Sequence, residues 1–196
     1  GKEYTPGFAI IAYGKLGGIE LGYGSDLDVV FLHDSTDVSA MTSGDRPIDN
    51  QLFFARLAQK IIHILSIRTP SGVLYEVDTR LRPDGAGGLL VSSLHGFEQY
   101  QKKHAWLWEM QALCRARFIA GQPSIADRFA TIRREALCSL RDEATLKEAV
   151  LGMRQKMRIE HGQHDDGDTF HLKNGIGGMT DIEFIVQYPV SYTHLT

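Results

Sequence analysis

Asp26 and Asp28 stand one residue apart at the head of the apolar, β-branched run Leu27–Leu32, shortly after the glycine-rich segment Gly14-Lys15-Leu16-Gly17-Gly18. In an extended strand alternate side chains share a face, so this spacing predicts that Asp26 and Asp28 project together while Leu27 and Val29 face a core. Two carboxylates side by side repel each other unless a cation lies between them, and Mg²⁺ held by carboxylates and substrate phosphates is the common solution. The glycine segment allows backbone N–H groups to approach an anion, and Lys15 adds a point charge. A phosphate cradle beside a carboxylate pair is the chemistry of phosphoryl or nucleotidyl transfer.

Transfer of that kind calls for a third carboxylate. Val73–Arg82 alternates Val73, Tyr75, Val77, Thr79 and Leu81 with Leu74, Glu76, Asp78, Arg80 and Arg82, which predicts a strand with one apolar and one charged face. Asp78 is the candidate there. Arg80 and Arg82 share its face, and their guanidinium groups suit triphosphate oxygens. Ion pairs Glu76–Arg80 and Asp78–Arg82 on a solvated face fit the same pattern equally well.

The elements that must carry these residues follow from the apolar spacing. Phe8–Tyr13 is a short apolar run ending at Gly14, and Leu27–His33 a second; both predict buried strands. Asp34–Arg46 reads as a surface loop. Leu52, Phe53, Leu57, Ile61, Ile64 and Leu65 recur at helical spacing within Asp49–Ile67, and Thr69-Pro70-Ser71-Gly72 ends that helix. After the turn Pro83–Gly88, Leu89–Val91 is expected to return as a hairpin partner. Beyond Ser93 the pattern is helical, over His95–Lys102, Ala105–Ala120, Ser124–Leu140 and Asp142–Glu160. The polar loop His161–Thr169 follows, then a helix capped by Thr180 or Asp181 and running to Tyr188. Pro189 is expected to stop it. The expected fold is α/β, with residues 1–93 forming a mixed α/β half, 94–188 a helical half, and 189–196 a truncated or foreign tail without functional weight.

The 196 residues carry a formal net charge of −3, which gives no support to nucleic-acid binding. No apolar run approaches the roughly 20 residues of a membrane span. Cys114 and Cys138 lack metal-ligand spacing and read as reduced thiols of a cytoplasmic protein. The scattered histidines likewise show no ligand spacing. The chain starts at Gly1 directly before a strand-like segment, so it is expected to be a piece of something longer.

The order apolar strand, Gly14-Lys15, spacer, Asp26-x-Asp28 on a second strand, then a later strand with Asp78, resembles the polymerase-beta-type nucleotidyltransferases. Lys15 stands where that superfamily usually has Ser or Gly. The longer stretches G-K-L-G-G-I-E-L-G-Y-G-S-D-L-D-V-V-F-L-H-D, T-P-S-G-V-L-Y-E-V-D-T-R-L-R-P-D-G-A-G-G-L-L-V and G-G-M-T-D-I-E-F-I-V-Q-Y resemble the glutamine synthetase adenylyltransferase family, from about Phe8 to Tyr188. Its members carry two nucleotidyltransferase halves, one adenylylating and one deadenylylating, and Gly22–Ser25 with Tyr75–Asp78 is more similar to the adenylylating half. The resemblance implies a nucleotidyltransferase sheet followed by a helical subdomain, with ATP as substrate and Mg²⁺ as cofactor. It implies glutamine synthetase as protein substrate and a nitrogen-signalling regulator acting through the full-length enzyme. It places the metal-binding and catalytic carboxylates on Asp26, Asp28 and Asp78. The nucleotide-binding residues fall on Gly14, Lys15, Gly17, Gly18, Ser25, Arg80 and Arg82. Trp106 and Trp108 read as helix packing, and Arg115 and Arg117 as helix-surface charges that could reach phosphates. Lys173, Asp181 and Glu183 surround a glycine-rich turn where a substrate contact and simple capping are both open.

Overall fold

The computed structural model describes residues 5–37, 39–139, 143–160, 171–173 and 175–192. The fold is α/β. Strand β1 (Phe8–Ala12) runs into the one-turn helix α1 (Gly14–Gly17), and β2 (Leu27–His33) returns antiparallel to β1 with Phe8 opposite His33 and Ala12 opposite Val29. Helix α2 (Asn50–Leu65) follows, its N-terminus capped by Asp49, whose Oδ1 accepts from the Leu52 N–H at 3.0 Å. Three short strands come next: β3 (Arg68–Thr69), β4 (Gly72–Val73) and β5 (Val77–Asp78). After them come β6 (Val91–Ser93), α3 (Leu94–Lys103), α4 (Leu107–Cys114), β7 (Arg117–Gly121), α5 (Pro123–Leu137), α6 (Glu143–Glu160) and α7 (Met179–Tyr192).

The sheet is mixed, in the order β5-β2-β1-β7, with β6 also on β2. β5 pairs in parallel with the head of β2 (Asp28 opposite Asp78), and β6 pairs in parallel with its tail. β2 is therefore the central strand, and both of its faces are buried. Leu27, Val29 and Phe31 pack with Phe54 and Ala58 of α2. Val30 and Leu32, on the other face, are fully enclosed, as are Leu94 and Phe97 of α3 and Ile125 of α5. This two-sided burial is why the run is continuously apolar rather than alternating.

Four expectations need correction. Val73–Arg82 is not one strand. Thr69 Oγ1 bonds the N–H of Ser71 and the carbonyl of Gly72, folding β3 and β4 into a small hairpin. Tyr75 N–H is drawn to the backbone carbonyl of Leu65, and the Asp78 carboxylate takes the Arg80 N–H, so a backbone bond on one side of Val77–Asp78 and a side-chain bond on the other compete the ladder away. Val91 joins β2 in parallel instead of returning as a hairpin. The stretch Ala105–Ala120 is not one helix: Arg117–Gly121 pairs antiparallel with β1, supplying partners for backbone groups that β1 would otherwise leave exposed at a sheet edge. Helix α7 runs through Pro189 to Tyr192; the bond lost at the proline falls in the helix's last turn and does not end it. The loop expected at His161–Thr169 and the last four residues lie outside the described residues.

The chain forms two compact units, one of Gly1–Ala105 with Arg115–Arg133, the other of Trp106–Cys114 with Arg134–Thr196. In the second unit α4, α6 and α7 pack together. Arg154 of α6 is buried there, and its guanidinium pairs with Asp181 of α7.

Candidate active site

Gly14 opens α1 at φ +52°, a left-handed conformation that glycine adopts without strain. A Cβ at Gly14 would overlap the Asp28 carboxylate, so the glycine also permits direct approach of the turn to that side chain. Gly17 N–H bonds Tyr13 O at 2.8 Å and Gly18 N–H bonds Gly14 O at 3.0 Å; the earlier amides of the turn have no acceptor within it. Lys15 is exposed on this turn, and its charge acts on Asp28.

Asp28 is half-buried at the head of β2, while Asp26 is exposed just before the strand begins. Burial pushes the Asp28 carboxyl above its ordinary value of 3.8, and the negative charges of Asp78 and Asp26 push it further the same way. The sheet explains that repulsion, because Asp28 and Asp78 face each other across the parallel β2–β5 pair. Asp78 moves in the opposite direction: hydrogen bonds from Arg80 hold it below its ordinary value. Arg80 Nε and Nη2 both reach Asp78 Oδ2, at 2.8 and 2.5 Å, and the rest of the guanidinium is open to solvent.

Hard oxygen donors that repel one another fit a divalent cation such as Mg²⁺. Among the described residues, however, no three His, Cys, Asp or Glu side chains stand close enough to enclose an ion, and the Asp78 carboxylate is turned into Arg80. Asp28 and Asp78 are brought together by register; Asp26 joins them electrostatically from the strand's entrance.

The other candidates are placed differently. Ser25 Oγ accepts from Gly22 N–H at 3.2 Å, shaping the 21–26 loop. A cleft of about 670 Å³ lies between that loop and the 73–76 segment, with Asp26 and Glu76 in its walls. Arg82 does not pair with Asp78. It donates to the carbonyls of Thr79, Ala86 and Gly88, tying down the turn after β5. Trp106 is 65% exposed, so it is not helix packing; Met110, Gln111 and Leu113 of α4 are buried. Trp106 precedes the helix.

Helix α7 starts at Met179, so neither Thr180 nor Asp181 is its cap, and Asp181 lies in the first turn. It accepts from Gly177 N–H at 2.7 Å and from Arg154, with Arg158 at 3.2 Å, and these partners hold its carboxyl at about 2. Sequence reasoning missed Arg154 and Arg158; their i, i+4 spacing on a helix was the available signal. Arg115 and Arg117 also fall elsewhere than expected, since neither lies on a helix. Arg115 pairs with Glu20, and Arg117 donates to the carbonyls of Leu16 and Gly17.

Residues 1–132 match the family of glutamate-ammonia ligase adenylyltransferases. A protein of Thioalkalivibrio sulfidiphilus named bifunctional glutamine synthetase adenylyltransferase/adenylyl-removing enzyme is 60% identical over 188 residues, covering 96% of this chain and 19% of its own length. Proteins of the same name from Methylococcus capsulatus and Vibrio parahaemolyticus are 55% and 56% identical over 185 and 189 residues, covering 94% and 96% of this chain and 19% and 20% of their own. The chain thus spans about a fifth of the length of these relatives. A match over two-thirds of the chain, together with identities well above half, makes it a member of the glutamate-ammonia ligase adenylyltransferase family.

Proposed function

We propose that this chain is a nucleotidyltransferase domain that transfers AMP from ATP to a tyrosine hydroxyl of glutamine synthetase, releasing pyrophosphate. The observation that carries the reading is the contact of the Gly14 turn with Asp28, which sets a phosphate-approachable backbone against a carboxylate that is itself repelled by two others. The turn amides and Lys15 would neutralise triphosphate oxygens, and the open side of the Arg80 guanidinium would add a further donor. Asp26, Asp28 and Asp78 would hold Mg²⁺, which when bound stabilises charge on the phosphate oxygens and lowers the pKa of the attacking hydroxyl.

The adenylylating direction is supported by the wording Gly22–Ser25 and Tyr75–Asp78, and the cytoplasm is the expected compartment for a chain whose two cysteines form no disulfide with each other. A nitrogen-signalling protein would act through the full-length enzyme. The relatives' shared name covers removal of the adenylyl group as well, so phosphorolysis of the modified tyrosine is the second reading. The deciding experiment supplies glutamine synthetase and labelled ATP with Mg²⁺ in one arm, and adenylylated glutamine synthetase with phosphate in the other. Label incorporation with pyrophosphate release supports adenylylation. ADP release in the second arm alone would mean the chain belongs to the removing half, and silence in both would leave a nucleotide-binding regulatory module.

A further inference from the structure

The glycine turn is gripped from behind by a segment that is far away in sequence. Arg117, 100 residues beyond Gly17, donates Nε to Gly17 O at 3.1 Å, and its Nη2 reaches Leu16 O at 3.0 Å. The Arg115 carbonyl occupies the space that a Cβ on Gly17 would need, and the Arg115 side chain pairs with Glu20. Between these grips, Ile19 sits at φ +62°, in the left-handed region. A β-branched residue persists there only where its surroundings over-determine the backbone. Its own side chain does not supply that restraint, being 78% exposed. The front of the turn meets the Asp28 carboxylate, so movement of the strained rear would carry the amides away from Asp28.

We infer that Arg117 is a positioning residue: with the Arg115–Glu20 pair it clamps the strained Gly14–Glu20 turn against Asp28 and so sets the affinity for a nucleotide's phosphates. The affinity half of this inference rests on the proposed nucleotidyl transfer; the clamp does not. No phosphate contact is assigned to Arg117 itself, since two of its donors are spent on the carbonyls.

The test measures amide hydrogen exchange over residues 14–20 and titrates ATP and AMP, each with Mg²⁺, into the full chain and its variants. Arg117→Ala should speed exchange in this segment at least about 10-fold while β2 stays protected, because only the local opening is relieved of restraint. ATP should bind about 10-fold more weakly, and AMP should change less. Arg117→Lys should fall between, since an ammonium cannot span two carbonyls as the guanidinium fork does. Adding Ile19→Gly to Arg117→Ala should recover part of the ATP affinity, because glycine holds φ +62° without strain. Unchanged exchange over 14–20 would overturn the clamp. Weaker ATP binding with unchanged exchange would instead make Arg117 a phosphate ligand, and faster exchange with wild-type ATP affinity would remove its bearing on the site; either result overturns the inference. If Arg117→Ala also loosens β2, Glu20→Gln carries the test by releasing only the Arg115 pair, with local loosening expected and its absence decisive against the clamp. A wild-type chain that binds no ATP would sink the nucleotidyl-transfer reading, and the exchange arm would still judge the clamp.

Discussion

Asp28→Asn should make this protein more stable and less active at once. The side chain keeps its size, so the approach of Gly14 and the β2 packing are undisturbed, while the charge disappears. Asp28 and Asp78 are register partners on adjacent strands, which sets their side chains roughly one inter-strand spacing, about 5 Å, apart. At effective dielectric constants between about 20 and 80, like charges at that separation repel by about 1–3 kcal/mol. Arg80 already offsets part of the Asp78 charge, and Asp28 is only half-buried, so a net gain of about 1 kcal/mol is expected. For a chain of this size that raises Tm by about 2–4 °C.

The pH dependence gives the sign. Asp28 binds its proton more tightly folded than unfolded, so its charge penalises the fold above its raised folded pKa, and the penalty vanishes below the ordinary value of 3.8. The stability difference between Asp28→Asn and wild type, measured by urea unfolding in EDTA, should therefore be largest near neutrality and shrink toward zero below about pH 4. Added Mg²⁺ should stabilise the wild type and not the variant. AMP transfer should fall by about 10²-fold or more. A variant destabilised at pH 7, or equally displaced at pH 7 and below 4, would refute the repulsion argument; a stabilised variant that transfers AMP normally would refute the site.

Three further outcomes are expected. Asp78→Asn should reduce transfer far more than Glu76→Gln, measured as AMP incorporation, because Asp78 faces Asp28 in the sheet whereas Glu76 lines the neighbouring cleft; the reverse order would make Glu76 the third carboxylate. Lys15→Ala should weaken ATP more than AMP in direct titration, since Glu20 is paired with Arg115 rather than with Lys15; equal, unchanged affinities would reduce Lys15 to a surface charge worth about 0–1 kcal/mol. Asp181→Asn should remove the carboxylate that Arg154 and Arg158 share and cost about 1–3 kcal/mol, read as lost amide protection in α6 and α7. The wild-type benefit of Asp181 should be complete above pH 3.8 and lost as pH falls through about 2, so persistence of that benefit in stronger acid would contradict the pairing.

What was legible in the sequence is what local pattern controls. Leu27–His33 is a strand as expected, because burial on both faces leaves an uninterrupted apolar run. The Asp49 cap and the apolar stripe fix α2, and the D-x-D spacing with the preceding glycines located the carboxylates and their turn. The failures came where a distant partner decided the outcome. Arg117–Gly121 follows helical residues, and only the open edge of β1 makes it a strand. Val73–Arg82 alternates as a strand should, yet Thr69 Oγ1 and the Asp78 carboxylate capture the neighbouring backbone. No spacing rule could have aimed Arg117 at Gly17, because that bond exists only after β7 has docked on β1.

These features share a physical logic. Asp28 among like charges and Ile19 at positive φ each oppose folding, and both lie at the mouth of the sheet rather than within it. A short turn could not hold such residues by its own hydrogen bonds. What holds them is the fully enclosed part of β1 and β2, where Ile11, Val30 and Leu32 anchor the strand pair on either side of which β5 and β7 are registered. β5 brings Asp78 to one flank of Asp28, and β7 brings Arg117 to the rear of the glycine turn. The destabilising groups therefore sit at the points where two strands from later in the sequence meet the core strands. On this view, substitutions that loosen β7 on β1, such as Gly121→Ala, whose Cβ would strike Phe8 O, should erode ATP affinity without touching a single carboxylate. Titration of ATP into that variant checks it: full affinity in a folded Gly121→Ala chain would mean that the turn keeps its position independently of β7.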